Sequence, residues 1–300
     1  MLKQFLSSDL SFYMLFIFFS FSLNARVHDY ETTRLKSTAG AGIGSVLMDE
    51  ATILNPAPIA FYTNSAVYIS QTGIDVTNQD DPTSPIVESK MRGFIISDSK
   101  GSLNGSISLL KQVENGDTRE RLAAALAAPI GDKSSMGITY RKTKDKNVTK
   151  TGESINDNYS QIVVGVTHSI TPSFSIGLIA IDPMQAHPDD TKGIVGFQYL
   201  YKSFISVMFD IGTDYRENLS NKLLYRTGVQ FKIFSDFYLR VGLFNDKGQG
   251  EKGNGFGIGW VQPKLVIDFA VKNTNVFKDL DALKEGQDIL ESSFSLSYRF

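Results

Sequence analysis

From residue 66 to the carboxy terminus the chain repeats one pattern. About 14 segments of about 10 residues set large apolar side chains alternately against small or polar ones. The segments fall at 66–73, 90–98, 103–112, 119–130, 134–143, 158–169, 173–182, 193–201, 204–212, 221–234, 237–245, 254–262, 264–273 and 290–300. In the last one, Phe294, Leu296, Tyr298 and Phe300 alternate with Ser293, Ser295, Ser297 and Arg299. Successive side chains of a strand point to opposite faces, so each segment is a strand with one apolar and one polar side. In a soluble sheet the apolar side faces a core. In an outer-membrane barrel it faces lipid and the polar side faces the lumen. About ten tilted residues also suffice to cross a bilayer.

The two ends of the chain favour the barrel. Residues 1–25 hold Lys3, an apolar run from Phe12 to Phe21 and then Ser22-Leu23-Asn24-Ala25. This is the charged, hydrophobic and small-residue order of an export signal cleaved after Ala25. The alternative, an anchor helix, needs roughly 20 apolar residues and the run is shorter. The other end closes on an aromatic residue. Tyr298 and Phe300 are expected to form the signal read by the barrel-assembly machinery. The absence of cysteine excludes disulfides and a lipid-modified cysteine, and a thiol-free exported chain suits an oxidising periplasm. A net charge of −2 implies no general attraction to nucleic acid. With 25 Gly and 9 Pro, the composition fits many short strands.

The connections sort by length. Gly131-Asp132-Lys133, Thr171-Pro172, Lys202-Ser203, Ser235-Asp236 and Gln262-Pro263 are tight. The stretches 74–89, 144–157, 183–192, 213–220, 246–253 and 274–289 are long and polar. Tight turns at one rim and long loops at the other is the asymmetry of outer-membrane barrels. An even strand number then puts both termini at the short-turn, periplasmic rim. Arg121–Ala128 has helical propensity, but it runs through Pro129-Ile130 into another alternating stretch and is read as a strand. Val276–Glu285 has helical spacing with Gly286 as a stop, which predicts a short surface helix.

Charges opposite apolar rows mark the inside. Asp210, Arg226, Gln230, Lys232, Arg240, Asp268 and Arg299 are expected to face a polar lumen, because an arginine facing lipid at mid-depth costs roughly 2–4 kcal/mol. A stabilising ion-pair network is the expected role for this set, ahead of substrate contact.

Residues 36–61 read KSTAGAGIGSVLMDEATILNPAPIAF. Gly40, Gly42 and Gly44 are followed by Asp49-Glu50-Ala51 and then by Asn55-Pro56-Ala57. In this order, after an export signal and before the strands, the segment resembles the opening of the FadL-type outer-membrane transporter superfamily, including its PorV-like relatives. The resemblance implies an all-β, antiparallel up-and-down transmembrane barrel of about 14 strands, plugged by the amino-terminal segment. It divides the chain into a signal at 1–25, a plug at 26–62 and a barrel at 63–300. It also implies passage of small hydrophobic or amphipathic molecules, with a hydrophobic ligand entering near the outer mouth and leaving through a gap in the wall. Some relatives act instead as scaffolds for secretion machinery, and both functions stay open. Pro56 lacks an N–H and biases Asn55 away from helix, so the chain is expected to bend at Asn55. Pro85 and Pro129 are candidates for irregularities in the wall.

No cofactor, metal or enzymatic site is expected, and a monomer in outer-membrane lipid is. Gly248, Gly250 and Gly253 spell a dinucleotide fingerprint, but a strand follows where that motif needs a helix. His28, His168 and His187 are scattered, and no sequence feature puts a serine beside them. Asp80-Asp81 and Asp189-Asp190 read as solvated loop acids rather than calcium ligands. Asn147-Val148-Thr149 is a nominal glycosylation acceptor without force in a bacterial chain.

Overall fold

The computed structural model describes residues 30–45, 50–79, 86–101, 103–114, 117–148, 154–187, 190–215, 222–278 and 286–300. Fourteen strands form one closed antiparallel barrel in which each pairs with its sequence neighbours and β1 pairs with β14. They are β1 Ser65–Asn78, β2 Val87–Asp98, β3 Asn104–Glu114, β4 Asp117–Ile130, β5 Ser134–Val148, β6 Ser154–Thr171 and β7 Phe174–Ile181. The round continues with β8 Lys192–Tyr201, β9 Ile205–Thr213, β10 Leu223–Lys232, β11 Phe237–Asp246, β12 Glu251–Val261, β13 Leu265–Val276 and β14 Gln287–Arg299. Closure pairs every strand on both sides, though residues 154–161 of β6 rise above β7 and pair with β5 alone.

Burial alternates residue by residue along the strands, with polar side chains on the buried side. On β14, Ser293, Ser295 and Ser297 are buried while Phe294 and Tyr298 are about half exposed. Ile107, Leu122, Leu178, Phe209, Phe256 and Phe269 are likewise exposed on other strands. An apolar belt of this extent is poorly solvated by water and suits hydrocarbon. The seam is closed by the last residue: Ser65 N donates to Phe300 O at 3.1 Å and Phe300 N to Ser65 O at 2.9 Å. Both described ends of the barrel therefore lie at the short-turn rim.

Residues 121–128 are strand, within β4. Ala123, Ala125 and Ala127 face inward, and the small side chains of Ala125 and Ala127 pack with Ala51 and Ile59. Helical propensity loses to pairing on both edges. Four of the six long connections are shorter than expected, while those after β7 and β9 keep their length. Pairing carries on to Val76 opposite Val87 and to Val148 opposite Ser154. Backbone groups gain from the ladder whatever the polarity of their side chains, so polar sequence alone does not end a strand. Val276 ends β13 rather than opening a helix, and residues 279–285 lie outside the described residues, as does Pro85. Pro129 pairs in register with Ser135 and makes no irregularity. Among the described residues, a register shift lies between Ser169 and Thr171 on β6. Gly248 and Gly250 sit in the β11–β12 turn and Gly253 is inside β12.

Ahead of β1, the described residues between 30 and 62 carry a short helix, α1 (Thr33–Ser37), and a 3₁₀ helix (Ala57–Phe61). The helix α1 lies against β11–β14 and the 3₁₀ helix against β3–β6. Leu35, Ile43 and Leu54 pack with inward Val163, Ile179, Ile194 and Leu224.

Candidate functional site

The leading segment and the inward groups that hold it form the candidate site. Thr32 caps α1, its hydroxyl accepting from Leu35 N at 3.1 Å and donating to Glu50 Oε1 at 3.0 Å. After α1 the chain reverses through Ala39 (φ 53°) and Gly40 (φ 79°), a left-handed pair that ends the helix. Gly40 O accepts from Arg226 Nη1 at 3.3 Å. Gly42 N then donates to Asp210 Oδ2 at 2.8 Å, and Ile43 N to Asp210 Oδ1 at 3.2 Å. Asp210 is fully buried, so two converging amides supply most of its solvation. Gly44 O accepts from Ser175 Oγ at 2.7 Å.

Asn55 ties this turn to the next one. Its Nδ2 donates to Ile43 O at 2.9 Å and to Thr167 Oγ1 at 3.0 Å, while its Oδ1 accepts from Ala57 N at 3.1 Å. The expected bend at Asn55 is present as a turn that opens the 3₁₀ helix, with Pro56 at its N-cap. Between these turns, Glu50 O accepts from Ile53 N and Leu54 N. Arg141 donates to Thr52 O and Ile53 O, and Thr139 Oγ1 donates to Ala51 O.

Bare inward positions let the segment approach the wall. A Cβ on Gly177 would lie 2.1 Å from Ile43 O, and one on Gly255 would lie 2.0 Å from Lys36 O. Each is a backbone clash, so these strands need glycine there. Ion pairs complete the contact. Lys36 pairs with Glu291, Lys272 with Glu31 at 2.8 Å, and Arg34 with Glu50 at 3.7 Å. Burial pushes the Lys36 ammonium well down from the usual lysine range, and Glu31 pulls the other way.

All seven residues expected to face a polar lumen stand on inward-facing strand positions. Asp210 and Arg226 touch the segment, as above. Arg240 instead pairs with Asp268 and donates to Gln230 Oε1 at 2.8 Å. Lys232 and Arg240 stand 6.0 and 5.9 Å from the Tyr238 ring, toward the short-turn rim. Arg299 lines the cavity at that rim. Asp49 lies outside the described residues. Reading the sequence missed Lys36, Glu31, Glu291, Lys272, Arg141 and Ser175. A signal existed for two of them, since Lys272 and Glu291 share a face and stand opposite in register, though each pairs with the leading segment.

Open space lies on both sides of the segment. At the short-turn rim is a cavity of about 320 Å³, bounded by Arg34, Glu50, Tyr62, Gln198, Asp268 and Arg299. Toward the other rim are cavities of about 80 and 60 Å³, with Glu31 and Arg226 lining both. On that side Tyr30 packs with inward Ile74, Met91, Leu110, Val276 and Ile289, an apolar lining.

His168 and His187 stand apart from this site, and His28 lies outside the described residues. Ser134 Oγ lies 2.8 Å from His168 Nδ1 on the exposed face at the short-turn rim, a neighbour the sequence could not reveal. Nothing further among the described residues hydrogen-bonds either side chain, so a base and its orienting group are not assembled. His187 stacks its ring on Tyr159, and its backbone N–H donates to Asp182 Oδ2 at 2.7 Å.

No protein-family model matches the sequence, and no curated protein matches it either. Solved structures do match. The CymD monoaromatic hydrocarbon channel aligns with TM-score 0.70 at 10% identity, over 90% of this chain and 97% of that one. The Ralstonia pickettii toluene transporter TbuX gives 0.68 at 10% identity, over 91% and 99%. A Pseudomonas aeruginosa FadL homologue gives 0.56 at 12% identity, over 90% and 98%. The fold is that of the FadL-type channels. At these identities the FadL-type likeness speaks for the fold, and the fold is where the sequence resemblance and the structure meet.

Proposed function

We propose that the chain is an outer-membrane channel of FadL type that passes small hydrophobic or amphipathic molecules. Residues 26–62 act as its plug, residues 1–25 as its export signal and residues 63–300 as its barrel. Both termini lie on the periplasmic side. A monomer in outer-membrane lipid, delivered by barrel-assembly machinery, is the working form. The observation that carries this reading is the leading segment, which stands between two sets of cavities and is held there by hydrogen bonds. Contacts of that kind can be exchanged for water. The fold likeness to channels described as carrying toluene and monoaromatic hydrocarbons supports a hydrophobic cargo. The apolar lining around Met91 and Leu110 supports entry from the long-loop rim. Charged residues around the cavity at the other rim favour cargo with a polar end.

A second reading is a non-transporting scaffold barrel of an envelope complex. It is favoured by the wall, whose ladders run without a gap around all fourteen strands. Uptake separates the two. Cells expressing the chain are expected to take up radiolabelled toluene or a long-chain fatty acid several-fold faster than cells without it. Asp210→Ala, which loosens the segment, is expected to change that rate. Uptake no faster than in cells lacking the chain would overturn the channel and leave the scaffold.

A further inference from the structure

The outward wall of β2–β5 differs from the rest of the barrel. Lys90 and Arg92 of β2, Lys111 of β3, and Lys142, Lys144 and Lys146 of β5 occupy outward-facing positions. On the other ten strands the described outward positions hold one Lys or Arg, Lys252 of β12. The six are not scattered along their strands. Arg92 stands opposite Lys111, Lys111 opposite Glu120, and Glu120 opposite Lys144. Paired strands lie about 4.8 Å apart, so this row spans about 14 Å. Lys142 is one outward position below the row on β5, about 7 Å away. Lys90 and Lys146 are one position above it.

Like charges this close repel, and the acids near them on this face are Glu120 within the row and Glu88 and Asp75 above it. Lys111 pairs with Glu120 at 2.7 Å, with both side chains more than half exposed. Among the described residues the other five cations lie beyond ion-pair distance of any carboxylate. Immediately below the row the wall turns apolar. Phe94, Leu109 and Leu122 continue through Ile69 to Leu296 in register. Charged row and apolar row together line an outward-facing groove of about 870 Å³. The cations stand toward the long-loop rim. Given the membrane reading above, on which this inference rests, that is the outer-leaflet headgroup level. Long cationic side chains there reach up to the interface while their stems lie on apolar surface.

We propose that this face binds a membrane lipid whose headgroup carries phosphate. The acyl chains lie against Ile69, Phe94, Leu109 and Leu122. The phosphate oxygens meet Arg92, Lys111, Lys142 and Lys144. Charge complementarity selects an anion, and the contiguous apolar groove selects an amphiphile over a free ion. Lys252 stands alone on its part of the wall and forms no such site.

The test is native mass spectrometry of the chain in non-ionic detergent. Its probes are phosphatidic acid, diacylglycerol with the same acyl chains, and inorganic phosphate. Phosphatidic acid is expected to bind more tightly than diacylglycerol, by about five-fold for each cation engaged. The double substitution Lys111→Gln/Lys144→Gln is expected to weaken phosphatidic acid about 25-fold and leave diacylglycerol unchanged. Glu120→Gln, which removes the acid from the row, is expected to strengthen it. High salt is expected to erase the preference, because the groups are exposed. Equal binding of the two lipids, equal loss in Lys252→Gln, or displacement of the lipid by inorganic phosphate would each overturn the proposal. Heat-modifiable migration on a gel verifies that each variant is folded. A wild-type chain that is soluble without detergent and not heat-modifiable would sink the membrane reading itself. A heat-modifiable barrel that binds both lipids alike would sink the lipid site alone.

Discussion

Asp210→Ala tests how the leading segment is held. The carboxylate accepts from Gly42 N and Ile43 N and is fully buried. A hydrogen bond to a charged group contributes about 1.5–3 kcal/mol net, so two amides give about 3–6 kcal/mol. Alanine also removes the cost of burying the charge, which offsets part of that loss. The remainder is about 2–4 kcal/mol, carried chiefly by two amides left without an acceptor. The effect should be local, because Asp210 reaches the segment while the β9 ladder does not depend on its side chain. Opening of residues 40–45 should therefore become about 30- to 700-fold more frequent. Hydrogen-exchange mass spectrometry in detergent reads this directly on a peptide covering 39–45, with β9 and β10 peptides as controls. Asp210→Asn keeps one acceptor oxygen and should fall between wild type and alanine. Exchange within about three-fold of wild type would refute the clasp. Equal acceleration in every strand would refute its local character.

Other substitutions probe different contacts. Gly177→Val places a side chain 2.1 Å from Ile43 O, where only a backbone shift gives relief; this should cost about 1–3 kcal/mol or more and expose the segment to limited proteolysis. Glu291→Ala leaves the buried Lys36 amine without its partner and should lower the temperature of the heat-modifiable gel transition, at a cost of about 1–3 kcal/mol, because an ammonium already pushed down by burial sheds its proton. The double variant Lys36→Met/Glu291→Leu should recover much of that loss, and a double variant no better than the single would argue against the pair. Phe300→Ala keeps the backbone bonds to Ser65 but removes the terminal ring. It should reduce the yield of folded barrel on the same gel while shifting the transition of the molecules that do fold only slightly.

The barrel was legible in the sequence because its physics is local. A strand in a lipid-facing wall must alternate, and alternation with period two can be read from a few residues at a time. That is why all fourteen strands were placed, including β4, where alanines give no contrast but neighbouring turns do. The ends of the hairpins were not legible, because pairing above the apolar belt is set by backbone partners and leaves no mark in side-chain pattern. The inward direction of Asp210, Arg240 and Asp268 followed from the same alternation. Their partners did not. Lys36 meets Glu291 and Asn55 Nδ2 meets Thr167 Oγ1 only once the chain has returned across the closed barrel. The inward glycines show the limit most plainly. As sequence, Gly177, Gly196 and Gly255 are small residues in strands. In the structure a Cβ at any of them would collide with the leading segment. The sequence by itself determined the wall, because each strand answers to its own pleat and to the medium on either side. The interior was decided by tertiary structure alone, since which groups converge inside a closed barrel depends on strand register and on the path of a segment that crosses it.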